Sequence, residues 1–149
     1  MESIKPLESF HILVVDDEPP IFDFLCRIAA KDFPEARLTN TRSAPETLEH
    51  LDSHADQPPQ LVLLDIDLRA ATDGLSLLPE LRGRFKGRVP IIMLSYLDEE
   101  AKIEQAYEQG AVAYTQKPED MEGWHEYVSM LRDYWHRSAR LPGVSPPTN

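Results

Sequence analysis

Two hydrophobic periods alternate along this chain. Strand-like runs, in which apolar residues are consecutive or alternate, are expected at His11–Val15, Ala36–Asn40, Leu61–Asp65, Val89–Leu94 and Ala111–Thr115. Apolar residues then recur at helical spacing from about Pro19 to Lys31, Ala44 to His54, Leu75 to Arg84, Asp98 to Gln109 and Glu119 to Arg137. Strand and helix in strict succession predict an α/β fold: a doubly wound (βα)5 sandwich around a five-stranded parallel sheet, because parallel strands need crossover connections. The acids Asp98-Glu99-Glu100 open one expected helix and Gly110 ends it, as dipole and capping rules favour.

The run Leu61-Val62-Leu63-Leu64 ends abruptly on Asp65, and Ile12-Leu13-Val14-Val15 ends on Asp16-Asp17. A continuous apolar run reads as a strand buried on both faces. Its last residue then stands at the carboxyl edge of the sheet, where open α/β folds place ligands. Three carboxylates at one edge repel one another and call for a cation. A Mg²⁺ ion held by a few carboxylates, water and phosphate is the usual solution.

Composition narrows the class. At 149 residues the expectation is one domain, residues 10–137, with a polar lead over residues 1–9 and a Pro-rich extension over residues 138–149 that is partly disordered. A formal net charge of -11 argues against nucleic acid or anionic membrane as partner. The single Cys26 has no intramolecular disulfide partner, Met1–Phe10 lacks the apolar centre of a signal peptide, and no run reaches transmembrane length. The expectation is a soluble cytoplasmic protein. None of the five histidines is assigned to a metal.

In this fold, strand ends bring Asp16, Asp17, Asp65, Ser95 and Lys117 to one edge, and each has a use in phosphoryl transfer. Asp65 is the candidate nucleophile, since a carboxylate is ionised near neutral pH and needs no activating base. Mg²⁺ held by Asp17 and Asp65, with Asp16 acting through a water, would neutralise the phosphoryl oxygens. Lys117 would offer a point positive charge to a phosphate oxygen and Ser95 a hydroxyl donor. The Lys117-Pro118 bond, directly after a strand, is expected to turn the lysine toward the site if it is cis.

The order Asp16-Asp17, Asp65, Ser95, Lys117-Pro118 resembles the receiver domain of two-component response regulators, over roughly residues 10 to 137. That resemblance implies a flavodoxin-like sandwich and a signalling protein rather than an enzyme. It implies that Asp65 is the phosphoacceptor, charged by a sensor histidine kinase, and that the backbone carbonyl of Asp67 is a further Mg²⁺ ligand. It also places Tyr114 at the position of the family's switch aromatic, working with Ser95. The segment Tyr134-Trp135-His136-Arg137-Ser138-Ala139-Arg140-Leu141-Pro142 further resembles the single-domain regulators paired with bacterial and cyanobacterial phytochromes. A bacteriophytochrome kinase and homodimerisation are therefore expected. The chain departs from the family in two places. Arg69 stands where proline is usual and Gly74 falls one position late, so the loop Arg69–Gly74 carries an extra residue. Asp67 puts an acid two residues past the phosphoacceptor, where it would alter the lifetime of the phosphoryl group.

Plainer readings stand beside these. Asp16-Asp17 alone would be solvated loop acids, Ser95 a cap, Tyr114 a strand aromatic and Cys26 a small core residue. Along the last helix, Trp124, Val128, Leu131 and Trp135 form one apolar stripe, with Tyr127, Met130 and Tyr134 on an adjacent face. That arc is wider than one sheet-facing stripe needs, so Trp124, Tyr127, Tyr134 and Trp135, with Tyr107 of the fourth helix, are expected to form a homodimer or kinase-docking surface. Two other functions are open. Asp65-Ile66-Asp67-Leu68 resembles the nucleophile motif of haloacid-dehalogenase phosphohydrolases, although Arg69 and the upstream acidic pair do not suit it. A receiver-like adaptor that is never phosphorylated is the other.

Overall fold

The computed structural model describes residues 9–68 and 74–142. Its elements run β1 (Phe10–Val15), α1 (Pro19–Asp32), β2 (Ala36–Thr41), α2 (Ala44–Ser53), β3 (Leu61–Leu64), α3 (Gly74–Phe85), β4 (Ile91–Ser95), α4 (Glu100–Glu108), β5 (Ala113–Gln116) and α5 (Met121–Leu131). All strand pairs are parallel, in the order β2-β1-β3-β4-β5. The expected doubly wound five-stranded sheet is what the chain forms.

Strand alternation sorts the core into two layers. Ile12 and Val14 of β1, Leu61 and Leu63 of β3 and Ile92 and Leu94 of β4 face α1 and α5, packing with Leu25, Ile28, Trp124 and Val128. Leu13, Val15, Val62, Leu64, Ile91 and Met93 face the other way, onto α2, α3 and α4. Both faces are covered, which is why the central strands read as unbroken apolar runs. Among the described residues no helix is long and apolar enough to cross a membrane.

The order reverses direction between β1 and β3, so the loops after these strands diverge and leave a crevice at their carboxyl ends. The Asp65 amide donates to the Val15 carbonyl (2.9 Å), the Asp16 amide to the Thr41 carbonyl (3.0 Å) and the Lys117 amide to the Ser95 carbonyl (2.9 Å). The ladder thus continues one residue past the strands and holds the expected site residues at one edge.

Two features of the chain's second half differ from expectation. The final helix is α-helical only to Leu131 and continues as a π-helix over Arg132–Ser138. Its side chains explain the change: Arg132 forms a two-point ion pair with Glu35 (2.7 and 2.9 Å), while His136 packs edge-on against Phe10 and also meets Phe33. The wider i→i+5 turn lets both anchors reach the start of β1 and the end of α1. The second difference is the Lys117-Pro118 bond, which is trans, since no cis peptide occurs among the described residues. Strand alternation and the Lys117–Ser95 ladder bond already direct the lysine inward, so no cis turn is needed.

The expected extra loop residue lies within residues 69–73, outside the described residues, but Gly74 is described. Its amide donates to the Ile66 carbonyl (2.8 Å), and a Cβ there would stand 1.9 Å from the Asp65 carbonyl oxygen. Only glycine allows α3 to begin against the backbone that carries Asp65.

Candidate functional site

Asp16 and Asp65 close β1 and β3 and are buried, while Asp17 is half-buried. Each of the three offers a carboxylate oxygen within 4.8 Å of the others, and they are the only such three-residue group of potential metal ligands among the described residues. A set of oxygen ligands from few carboxylates suits a hard divalent cation such as Mg²⁺ rather than zinc or copper.

Lys117 enters this cluster from the end of β5. Its Nζ lies 2.8 Å from Asp16 Oδ2, 2.9 Å from Glu18 Oε1 and 3.2 Å from Asp65 Oδ2, and 4.9 Å from the centre of the Tyr96 ring. Burial alone would lower its pKa. Hydrogen bonding to Asp16 and the charges of Asp65 and Asp16 outweigh that and raise it, so it remains an ammonium. Burial pushes Asp65 up to about 6, a shift that Lys117 opposes and Asp16 reinforces. Asp16 is likewise raised by burial, against hydrogen bonds from Lys117 and the Glu18 amide. The pocket therefore holds excess negative charge that one lysine only partly offsets, and a cation there would lower both carboxyl pKa values.

Ser95 closes β4 beside β3, and its Oγ accepts from the Leu97 amide (3.1 Å), which turns the β4–α4 loop. Tyr114, half-buried on the edge strand β5, donates from its hydroxyl to the Leu97 carbonyl (2.7 Å). Burial raises the Tyr114 pKa while the nearby Ser95 hydroxyl lowers it, so hydroxyl and aromatic address the same loop. The Asp67 amide points back to Asp65 Oδ1 (3.3 Å), with the Asp67 side chain exposed.

The expected surface aromatics divide. Trp124 and Tyr127 are 4 % and 8 % exposed, core residues rather than interface residues; the Tyr127 hydroxyl is bonded to Thr115 Oγ1 (2.8 Å). The broad apolar arc thus has an internal explanation, because one part faces the sheet and another α1. Trp135 packs at the margin of the same core. Tyr107 and Tyr134 are 50 % and 55 % exposed, and the Tyr107 hydroxyl also accepts the edge-strand amide of Tyr114 (3.1 Å). Two residues of the site were not anticipated. Glu18 caps α1 and grips Lys117; its place directly after Asp16-Asp17, before Pro19, was the available signal. Tyr96 carries no sequence signal beyond following Ser95.

Residues 12–129 match the response regulator receiver domain family. Among curated proteins, the transcriptional regulatory protein DcuR of Escherichia coli is 28% identical over 131 residues, covering 83% of this chain and 54% of its own length. The chain spans about half the length of the curated relatives it matches. Among solved structures, the phosphorylated cyanobacterial phytochrome response regulator RcpA superposes with a TM-score of 0.81 at 23% identity, over 91% of this chain and 99% of that one. Response regulator RPA3017, from red light signaling of R. palustris, superposes with a TM-score of 0.79 at 26% identity, over 89% of this chain and 98% of that one.

Proposed function

The chain belongs to the response regulator receiver family of two-component signalling, and from that premise we propose that Asp65 accepts a phosphoryl group from a sensor histidine kinase in a Mg²⁺-dependent step. The observation that carries the proposal is the convergence of Asp16, Asp17 and Asp65 on one small volume with the Lys117 ammonium among them. An oxygen of Asp65 forms the new P–O bond as the P–N bond of the kinase's phosphohistidine breaks, and the departing imidazole is reprotonated from solvent. With its pKa near 6, Asp65 is mostly ionised at neutral pH and ready to attack. Asp17, Asp65 and the Asp67 backbone carbonyl would hold Mg²⁺, with Asp16 acting through a water, and the ion supplies charge neutralisation for the phosphoryl oxygens. Lys117 contributes the fixed positive charge and Ser95 a hydroxyl donor.

Once Asp65 carries phosphate, its phosphoryl oxygens become new acceptors for Ser95 and Lys117. A Ser95 hydroxyl drawn toward phosphate gives up the bond that turns the β4–α4 loop, and Tyr114, bonded to the same loop, moves with it. The output is then a changed surface on α4, β5 and α5, read by a protein partner or a second copy of the chain, with Tyr107 and Tyr134 exposed for contact. A phytochrome-type kinase is the phosphodonor this reading favours, because RcpA, which shares the fold, is a phytochrome response regulator and RPA3017 acts in red light signaling. The family match leaves the haloacid-dehalogenase alternative without support.

Incubation with Mg²⁺ and acetyl phosphate, followed by intact mass, tests the proposal. One phosphoryl group on the wild type, and none on Asp65→Asn or when Mg²⁺ is chelated, is expected. Absence of both phosphorylation and Mg²⁺ binding would point instead to an adaptor that is never phosphorylated.

A further inference from the structure

Glu18 stands at the N-cap of α1, yet its side chain makes no capping hydrogen bond. The sequence removes the partners. An N-cap side chain accepts from the amide two or three residues on, but Pro20 has no N–H and the Ile21 amide already donates to the Glu18 carbonyl (3.0 Å). Pro19 also holds Glu18 extended, at φ -93° and ψ 103°. Denied its own helix, the carboxylate reaches the sheet edge and accepts from Lys117 Nζ at 2.9 Å.

The three carboxylates around Lys117 are not equivalent. The side chains of Asp16 and Asp65 are 2 % and 3 % exposed, and Asp16 is further fixed by the Glu18 amide, which donates to its Oδ1 (2.8 Å). The Glu18 side chain is 29 % exposed, and its bond to the ammonium is shorter than that of Asp65, 2.9 against 3.2 Å. The Tyr96 ring, 4.9 Å away, covers another side of the ammonium. When Asp65 becomes an acyl phosphate, its charge passes outward to the phosphoryl oxygens, and Lys117 follows that charge only by loosening a bond it already makes. Water can replace the ammonium at Glu18 but not at the two buried carboxylates.

We propose that Glu18 is a positioning residue that holds Lys117 back from the phosphoryl site and must release it when Asp65 is phosphorylated, which rests on Asp65 being the phosphoacceptor. Glu18 acts only through Lys117. It favours the unphosphorylated arrangement by the worth of one partly exposed, charge-assisted hydrogen bond, and it biases the equilibrium by that difference alone. The chain therefore carries, next to its acidic pair, a built-in resistance to the phosphorylated state.

The test compares wild type with Glu18→Gln, which removes the charge, and Glu18→Asp, which keeps the charge and withdraws it by one methylene. Each full chain is titrated with Mg²⁺ and then, at saturating Mg²⁺, with beryllofluoride, a phosphoryl mimic that seats on a carboxylate without group transfer; the Ser95 amide is followed by NMR. Both variants should bind beryllofluoride about fivefold more tightly than wild type, while Mg²⁺ affinity stays within about threefold. Equal beryllofluoride affinity in all three proteins would overturn the proposal. So would a Glu18→Asp protein that matches wild type while Glu18→Gln binds more tightly, because charge alone would then be acting. A loss of Mg²⁺ affinity of about tenfold or more in Glu18→Gln would make Glu18 a metal ligand rather than a partner of Lys117, and would overturn it as well. A wild type that binds Mg²⁺ but neither beryllofluoride nor a phosphoryl group would overturn the assignment of Asp65 itself, and the role of Glu18 with it.

Discussion

Replacing Lys117 by Met keeps most of the side-chain volume and removes the charge that sits among Asp16, Glu18 and Asp65. At an effective dielectric of about 20, a unit pair 3 Å apart is worth about 5.5 kcal/mol, and Lys117 has three such partners at 2.8, 2.9 and 3.2 Å. Desolvation of the ammonium and repulsion among the carboxylates offset most of that sum. Losing one partner of a buried ionic cluster typically costs about 3–5 kcal/mol, or about 10 °C in Tm for a chain of this size. The loss should depend on pH. Asp65 already titrates near 6, above its unfolded value, and without Lys117 both it and Asp16 rise further. A carboxyl whose folded pKa is raised contributes stability below its unfolded pKa and loses it as pH rises through the folded one. The Lys117→Met protein should therefore be nearly as stable as wild type at pH 5 and fall behind by pH 8. Mg²⁺ takes over the missing charge, so it should raise Tm at pH 8 by more in the variant than in wild type. Thermal melts at both pH values, with and without Mg²⁺, make the comparison. A deficit equal at both pH values and indifferent to Mg²⁺ would mean that only the packing of the lysine stem was lost, and would refute the electrostatic reasoning.

Three further outcomes are expected. Gly74→Ala drives a Cβ to 1.9 Å from the Asp65 carbonyl and should destabilise the fold by about 1–3 kcal/mol while slowing phosphorylation from acetyl phosphate, whereas unchanged rates would show that the loop moves freely away from Asp65. His11 is held neutral with its pKa near 4, so the unfolded chain binds its proton first and wild-type stability falls between pH 6.5 and pH 4. That shift corresponds to about 3 kcal/mol, reduced to about 2 kcal/mol for partial solvent screening of the ring; urea titrations of wild type and His11→Gln at both pH values should differ by that amount. Asp67→Asn removes a base beside the water that attacks the aspartyl phosphate and should lengthen its half-life, so a decay rate equal to wild type would exclude that role.

Much of this was legible in the chain itself because it rests on periodicity and edge chemistry. Strands buried on both faces leave unbroken apolar runs, so β1 and β3 and the carboxylates that end them stand out. The π-helix was not legible: Arg132 pairs with Glu35, 97 residues away, and no local spacing announces that anchor. Periodicity directs Trp124 and Tyr127 outward because it reports how wide an apolar face is, not how many neighbours share it; α5 packs on both the sheet and α1. Glu18 is not legible in the sequence because an acid before Pro19-Pro20 reads as an ordinary helix cap, and only the fold brings Lys117, 99 positions later, against it. His11 was unremarkable in sequence, since a histidine opening a strand says nothing of which ring nitrogen will find a partner.

The most direct test of the central claim is to trap the acyl phosphate. After incubation with Mg²⁺ and acetyl phosphate, borohydride reduction converts a phosphorylated aspartate to homoserine, and peptide mass spectrometry then locates it. Homoserine at position 65 alone, dependent on Mg²⁺, is the predicted result. Homoserine at position 16, 17 or 67 would contradict the assignment of Asp65 as the phosphoacceptor, and so would a phosphorylated chain without homoserine.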